Sequence, residues 1–169
     1  MFMLYTSAEA NKLLKKLNDQ YLDLRHQEEK TKTFNAATME DIETVRPAYD
    51  YAKTQAAIAE LEKEIRHVKH AINTFNISTL VPGFDMTIDE MLVYIPQLTR
   101  NKNKLATMKA ILPKERVTDG SYRNSNFIDY CYANYDLKQA EADYQKVSDE
   151  LAKAQLALDQ INSSLKFEI

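Results

Sequence analysis

Apolar residues recur at steps of three and four along most of the chain, and this periodicity predicts long amphipathic helices. In one segment the stripe consists of Tyr51, Thr54, Ile58, Leu61, Ile65, Val68, Ile72 and Phe75. In the last segment it consists of Tyr130, Ala133, Leu137, Ala140, Tyr144, Val147, Leu151, Ala154, Leu158, Ile161 and Leu165. Because such steps average about 3.5 residues per turn, each stripe keeps facing one side and requires a partner helix.

Prolines, glycines and capping residues divide the periodic pattern into separate helices. We predict helices over residues 7–32, 48–79, 87–112 and 126–166, three of them long and one shorter. Ser7 is the expected N-cap of the first helix, and Thr87 with Glu90 forms a capping box at the third. The pattern indicates an all-α fold of long antiparallel coiled-coil helices, with residues 1–169 forming a single helical domain.

Two segments lack the helical pattern. Residues 31–46 are predicted to form a linker, with one helical turn beginning at Thr38 or Asp41. Residues 114–125 contain Asp119-Gly120 between short alternating stretches, which predicts a small β-hairpin or a tight loop before the last helix.

Composition narrows the classes of protein that remain. The 169 residues include only two glycines, too few for a P-loop, a dinucleotide-binding fingerprint or the many turns of a β-sandwich. The net charge of −3 gives no general basic surface for nucleic acid. The first residues lack the basic leader of a secretory signal, and no apolar run is long enough to span a membrane. We therefore expect a cytoplasmic protein that binds neither a nucleic acid polymer nor a membrane.

Residues that could carry chemistry do not form a recognisable catalytic or metal-binding set. Glu64 and His67, like Asp23 and His26, have the carboxylate-x-x-His spacing of di-iron bundles, but they flank the apolar stripe and are typical of a solvated helix face. Cys131 is expected to be an inert packing residue of the last helix, beside Tyr130. No enzyme activity, metal or cofactor is expected.

The charges are unevenly distributed, and this produces one candidate binding site. Residues 99–123 carry 7 basic and 2 acidic side chains, and five aromatic residues follow or overlap this stretch. Guanidinium groups bind phosphate and aromatic rings stack on a base. The candidate ligand-binding residues are Arg100, Lys104, Lys114, Arg116, Tyr122, Arg123 and Tyr132. The alternative is that the basic helix lies against the acidic second or fourth helix, with the tyrosines packing the seam.

Several short motifs resemble one protein family. They are Ala71-Ile72-Asn73-Thr74-Phe75-Asn76-Ile77-Ser78-Thr79, Met86-Thr87-Ile88-Asp89-Glu90-Met91-Leu92 and Leu158-Asp159-Gln160-Ile161-Asn162. In order and spacing they resemble the DIP1984-like (septicolysin-like) family of small bacterial helical proteins of unknown function. The resemblance implies an antiparallel helical hairpin protein that self-associates, and it supplies no catalytic residues. The septicolysin-like label also implies pore formation, against which the absence of a long apolar helix counts.

These observations lead to two functional hypotheses. Apolar stripes that one chain cannot cover favour a homo-oligomer, acting as a non-enzymatic structural or protein-interaction module. The alternative is a binding or sequestering protein for a small anionic, nucleotide-like ligand, held at an oligomer interface near the basic and aromatic cluster of residues 114–135.

Overall fold

The structure, a computed structural model, describes residues 3–117 and 129–169 and is mostly helical, with two small antiparallel sheets. The elements are β1 (Leu4–Thr6), α1 (Ser7–Thr31), α2 (Ile42–Val45), α3 (Tyr51–Ser78), α4 (Ile88–Lys109), β2 (Lys114–Arg116), β3 (Tyr130–Tyr132), α5 (Leu137–Ser164) and β4 (Lys166–Glu168). The predicted helical character is confirmed for most of the chain. The predicted coiled-coil packing stays a prediction.

The chain divides into two compact units. The first contains the chain up to Thr79 together with Gln160–Ile169, and the second contains Leu80–Asp159. Helix α5 therefore contributes residues to both units. The prediction of a single domain stays a prediction, and the two units are described separately.

The first unit is built on α1 and α3, which run in opposite directions. Ala10 and Leu17 of α1 pack with Val68 and Ile72 of α3 in a buried cluster. Glu28, near the end of α1, accepts hydrogen bonds from Tyr49 and Gln55, near the start of α3. The end of α1 therefore lies beside the start of α3. The buried cluster joins the start of α1 to the end of α3, so the two helices are antiparallel.

The ends of the first unit are tied together by a sheet that the periodicity does not predict. Strand β1 pairs antiparallel with β4, so that Tyr5 lies opposite Phe167. The Phe167 ring stacks on Phe75 of α3, with 4.4 Å between ring centroids. Thr6, the last residue of β1, is the N-cap of α1. The prediction that Ser7 caps this helix is wrong by one residue, because Ser7 already has helical geometry and is buried.

The linker between α1 and α3 contains the predicted helical turn. Asp41 is its N-cap and accepts a hydrogen bond from the backbone N–H of Glu43. This confirms the second of the two starting positions that the sequence suggests.

The second unit begins with a tight turn that leads into α4. The N–H of Phe84 donates to the carbonyl of Val81 across Pro82 and Gly83, and Gly83 has φ of +80°. Thr87 and Glu90 form the predicted capping box. Val81, Ile88 and Met91 are almost completely buried around this turn. Helix α4 continues through Pro96 to Lys109.

The last helix begins later than predicted. The sequence predicts a helix from residue 126, but Tyr130–Tyr132 form β3, and α5 begins at Leu137. Aromatic residues favour strands, and the side chain of Asp136 accepts hydrogen bonds from the N–H groups of Lys138 and Gln139, which starts the helix there. Strand β2 lies within the predicted 114–125 segment and pairs antiparallel with β3, which lies within the predicted last helix. The Asp119-Gly120 turn itself lies outside the described residues.

Candidate functional site

A groove of about 640 Å³ lies between α4 and α5 in the second unit. Its apolar floor comes from Leu98 and Leu105 of α4 and from Val147 of α5. Leu98 and Leu105 are largely buried because they belong to the apolar stripe of α4. The stripe thus supplies both the core of the unit and the base of an open groove.

Side-chain contacts fix how the two helices face each other. The hydroxyl of Tyr94 on α4 donates to the Glu150 carboxylate on α5, at 3.4 Å. Farther along α4, the Lys109 ammonium lies 4.0 Å from the centre of the Tyr144 ring. Higher residue numbers on α4 therefore meet lower numbers on α5, so the two helices are antiparallel. Burial, followed by the negative charge of Glu150, raises the pKa of the Tyr94 hydroxyl.

The walls of the groove carry both signs of charge. Lys104 and Lys146 contribute ammonium groups, and Asp143 and Glu150 contribute carboxylates. Asp143 accepts a hydrogen bond from Gln139 at 2.9 Å. In the described part of the chain, salt bridges join only side chains three residues apart in the first unit, so neither groove lysine has an ionic partner there.

The small sheet formed by β2 and β3 is a second surface of interest. Lys114 is the Cα partner of Tyr132, and its ammonium lies 4.0 Å from the Tyr130 ring centre and 5.4 Å from that of Tyr132. All six residues of the sheet are exposed. Cys131 is among them, so the expectation that it packs inside a helix is wrong. It lies on a strand because its neighbours Tyr130 and Tyr132 pair with β2.

The structure distributes the predicted ligand-binding residues over two surfaces. Lys104 lines the groove, and Arg100 lies exposed on the same helix. Lys114, Arg116 and Tyr132 belong to the β2–β3 sheet, where Lys114 and Tyr132 meet directly. Among the described residues, neither a salt bridge nor a cation–ring contact joins Arg100 or Lys104 to that sheet. Tyr122 and Arg123 lie outside the described residues, and ligand binding by this set stays a prediction.

Sequence reasoning missed the contribution of α5 to the groove. Asp143, Lys146 and Glu150 are spaced by three and four residues, so they share one face of the helix with Val147. That spacing was visible in the sequence. Their position opposite α4 was not, because it depends on how the two helices pack.

Two general properties of the described residues bear on function. Over residues 3–117 and 129–169, no helix has the length and apolar character needed to cross a membrane. Within the same ranges, no three His, Cys, Asp or Glu side chains lie together as a group that could hold a metal ion.

Comparisons with known proteins support the fold and give no function. No family model matches the sequence, and no curated protein matches it. The chain is similar to a solved structure described as a functionally unknown conserved protein from Corynebacterium diphtheriae, with a TM-score of 0.60 and 16% sequence identity. The match covers 98% of this chain and 99% of that one. At this identity the likeness shows a shared fold alone.

Proposed function

We propose that this protein is a non-enzymatic helical module that self-associates and acts through protein–protein contacts. The observation that carries the proposal is the apolar surface around the β2–β3 sheet. Large apolar side chains remain exposed there, and they are Ile111, Leu112, Val117, Tyr130 and Tyr132.

This surface exposes large apolar side chains to water, which is energetically unfavourable. Leu112 is 56% exposed and Tyr132 is 60% exposed, although both are large apolar or aromatic residues. An isolated two-stranded sheet is marginally stable at best, and all six residues of this one are exposed. Contiguous exposed apolar patches mark interaction sites. A second copy of the chain would cover the patch and stabilise the sheet.

Three further features belong to the proposal. The antiparallel pairs α1–α3 and α4–α5 would pack as coiled coils, which the apolar spacing of three and four supports. Membership of the DIP1984-like family is supported by the short motifs and is consistent with a structural neighbour of unknown function. A cytoplasmic location is supported by an unpaired cysteine, Cys131.

The test is analytical ultracentrifugation at micromolar concentration. We expect the wild-type chain to sediment as an oligomer, and Leu112→Ser combined with Tyr132→Ser to shift it towards the monomer. Met39→Ser is the matched control, since Met39 is 98% exposed but lies in the linker of the first unit. A wild-type chain that is monomeric over the whole concentration range would refute the proposal.

A second candidate function is the binding of a small anionic, nucleotide-like ligand. Lys104 and Lys146 favour it, because they place ammonium groups above an apolar floor without an ionic partner among the described residues. Lys114 beside Tyr130 and Tyr132 offers a cation and two rings on the neighbouring sheet. Native mass spectrometry of protein purified from its host distinguishes the two functions. A retained small molecule supports this candidate, and an oligomer without ligand supports the first.

A further inference from the structure

The face of α5 that borders the groove carries an ordered series of charges. Asp143, Lys146, Glu150 and Lys153 follow one another at steps of three, four and three residues. With about 3.6 residues per turn, these steps keep all four side chains on one stripe of the helix. The first three line the groove, and Lys153 is exposed.

Positions at equal distances before and after Ser148 in this series carry opposite charges. Asp143 and Lys153 are equally far from Ser148, and so are Lys146 and Glu150. Each of these two pairs consists of one acidic and one basic residue. An antiparallel copy of the same helix, aligned on Ser148, therefore meets opposite charges at both positions. A symmetric dimer interface has this self-complementary property, because residue i contacts residue j and j contacts i.

We infer that α5 pairs antiparallel with α5 of a second copy, with the two-fold axis near Ser148. Lys146 then faces the partner's Glu150, and Asp143 faces the partner's Lys153. The groove between α4 and α5 receives the partner helix, which produces a bundle of four helices. The inference rests on the proposed self-association and adds a second contact surface to the one around the β2–β3 sheet.

The charge of α4 supports the same arrangement. From Met91 to Lys109 this helix carries four basic residues and no acidic one. Helix α5 carries five acidic residues against three basic ones. A partner α5 lying in the groove contacts α4 as well, so its acidic excess meets the basic side of α4. Lys104 and Lys146 would then gain ionic partners that they lack among the described residues of one chain.

The apolar floor fits a helix as the occupant. Leu98, Leu105 and Val147 form a strip with charged residues on both sides. Coiled-coil interfaces have this layout, in which a central apolar seam is flanked by charges that select the partner and its direction. A groove lined by both signs of charge matches a helix that carries both signs more closely than it matches a simple anion or cation.

The experiment is charge reversal, measured by sedimentation equilibrium in low salt. Lys146→Glu places like charges opposite each other at two symmetry-related positions, and Glu150→Lys does the same with opposite sign. We expect each variant to weaken dimerisation at least tenfold. Lys138→Glu is the control, because it changes the net charge of α5 by the same amount at an exposed residue away from the stripe. Circular dichroism verifies that every variant is folded.

Mixing the two variants is the decisive measurement. The Lys146→Glu chain carries a carboxylate at both positions of the pair, and the Glu150→Lys chain carries an ammonium group at both. In an equimolar mixture, the two carboxylates of one chain face the two ammonium groups of the other, so a heterodimer forms with wild-type affinity. The double variant Lys146→Glu/Glu150→Lys is a weaker test, because it also restores an i,i+4 pair within its own helix. The mixture restores contacts between chains only.

The outcomes separate this inference from the proposed function. A wild-type oligomer that neither reversal weakens overturns the α5 interface and leaves self-association intact. Weakened variants that do not recover on mixing overturn the pairing about Ser148. A monomeric wild type overturns both the proposed function and the interface.

Discussion

Replacing Gly83 with alanine tests whether the turn before α4 depends on backbone conformation or on space. Val81, Pro82, Gly83 and Phe84 form a turn closed by a hydrogen bond from the Phe84 N–H to the Val81 carbonyl, at 3.1 Å. Proline at the second position and a glycine with φ of +80° at the third are the pattern of a type II turn. Gly83 has the single positive φ among the described residues.

The structure separates the possible costs of this substitution. A Cβ built on Gly83 meets no atom within 4 Å, so no steric clash contributes. An L-residue in the left-handed region costs roughly 1–2 kcal/mol. Alanine also restricts the unfolded chain, which stabilises the folded state by about 0.4–1 kcal/mol. The conformational cost exceeds this gain, and we expect a net loss of about 1 kcal/mol in the free energy of unfolding.

Urea denaturation followed by circular dichroism in the far ultraviolet measures this loss. Protein concentration must be constant, because an oligomer has a concentration-dependent stability. Gly83→Asn is the matched control, since asparagine adopts the left-handed region more readily and should lose less. If Gly83→Ala is as stable as the wild type, positive φ does not limit this turn. If both variants lose several kcal/mol, the side chain is meeting a contact that the described residues do not include.

Two further predictions concern the first unit. The Thr6 backbone N–H donates to the Glu9 carboxylate at 2.9 Å and holds the pKa of that carboxyl group below its ordinary value. The ionised carboxylate therefore stabilises the folded state above the ordinary pKa, and this stabilisation is lost as the pH falls through the pKa of the folded state. Glu9→Gln should therefore be less stable than wild type near neutral pH and approach it in acid. A stability difference that stays constant in urea denaturation from acid to neutral pH would contradict this expectation. Phe167→Ala removes the ring stacked on Phe75 and should cost about 2–3 kcal/mol, because Phe167 is only half-buried, while Phe167→Leu should cost about 1 kcal/mol. Equal losses in these two variants, measured by urea denaturation, would show that the stacked ring, rather than the buried volume of the side chain, carries the stabilisation.

Much of the helical structure could be predicted from local patterns. The capping box at Thr87 and Glu90, the turn at Asp41 and the end of α3 at Ser78 all depend on residues close in sequence. The β1–β4 sheet could not be predicted in this way. Its three-residue strands are too short for periodicity, and they pair Leu4 with Glu168 across almost the whole chain.

The late start of α5 shows how a local pattern can mislead. Tyr130 and Ala133 continue the apolar spacing of the last helix, so the periodicity alone extends it towards residue 126. Strand pairing with β2 competes for the same residues and is stronger at Tyr130–Tyr132. The same competition explains Cys131, since its place on a strand follows from pairing with Glu115 rather than from its neighbours in sequence.

The candidate site was predicted as one cluster because its basic residues are close in sequence, but they lie on two different elements. Lys104 belongs to α4 and faces the groove, whereas Lys114 follows Pro113 and lies on β2. Helix α4 ends at Lys109, so residues before and after that point need not share a surface. Effects of Lys104→Ala and Lys114→Ala on ligand binding and on self-association should consequently be independent. If the two substitutions instead act together on one measured property, the groove and the β2–β3 sheet belong to a single interface in the oligomer.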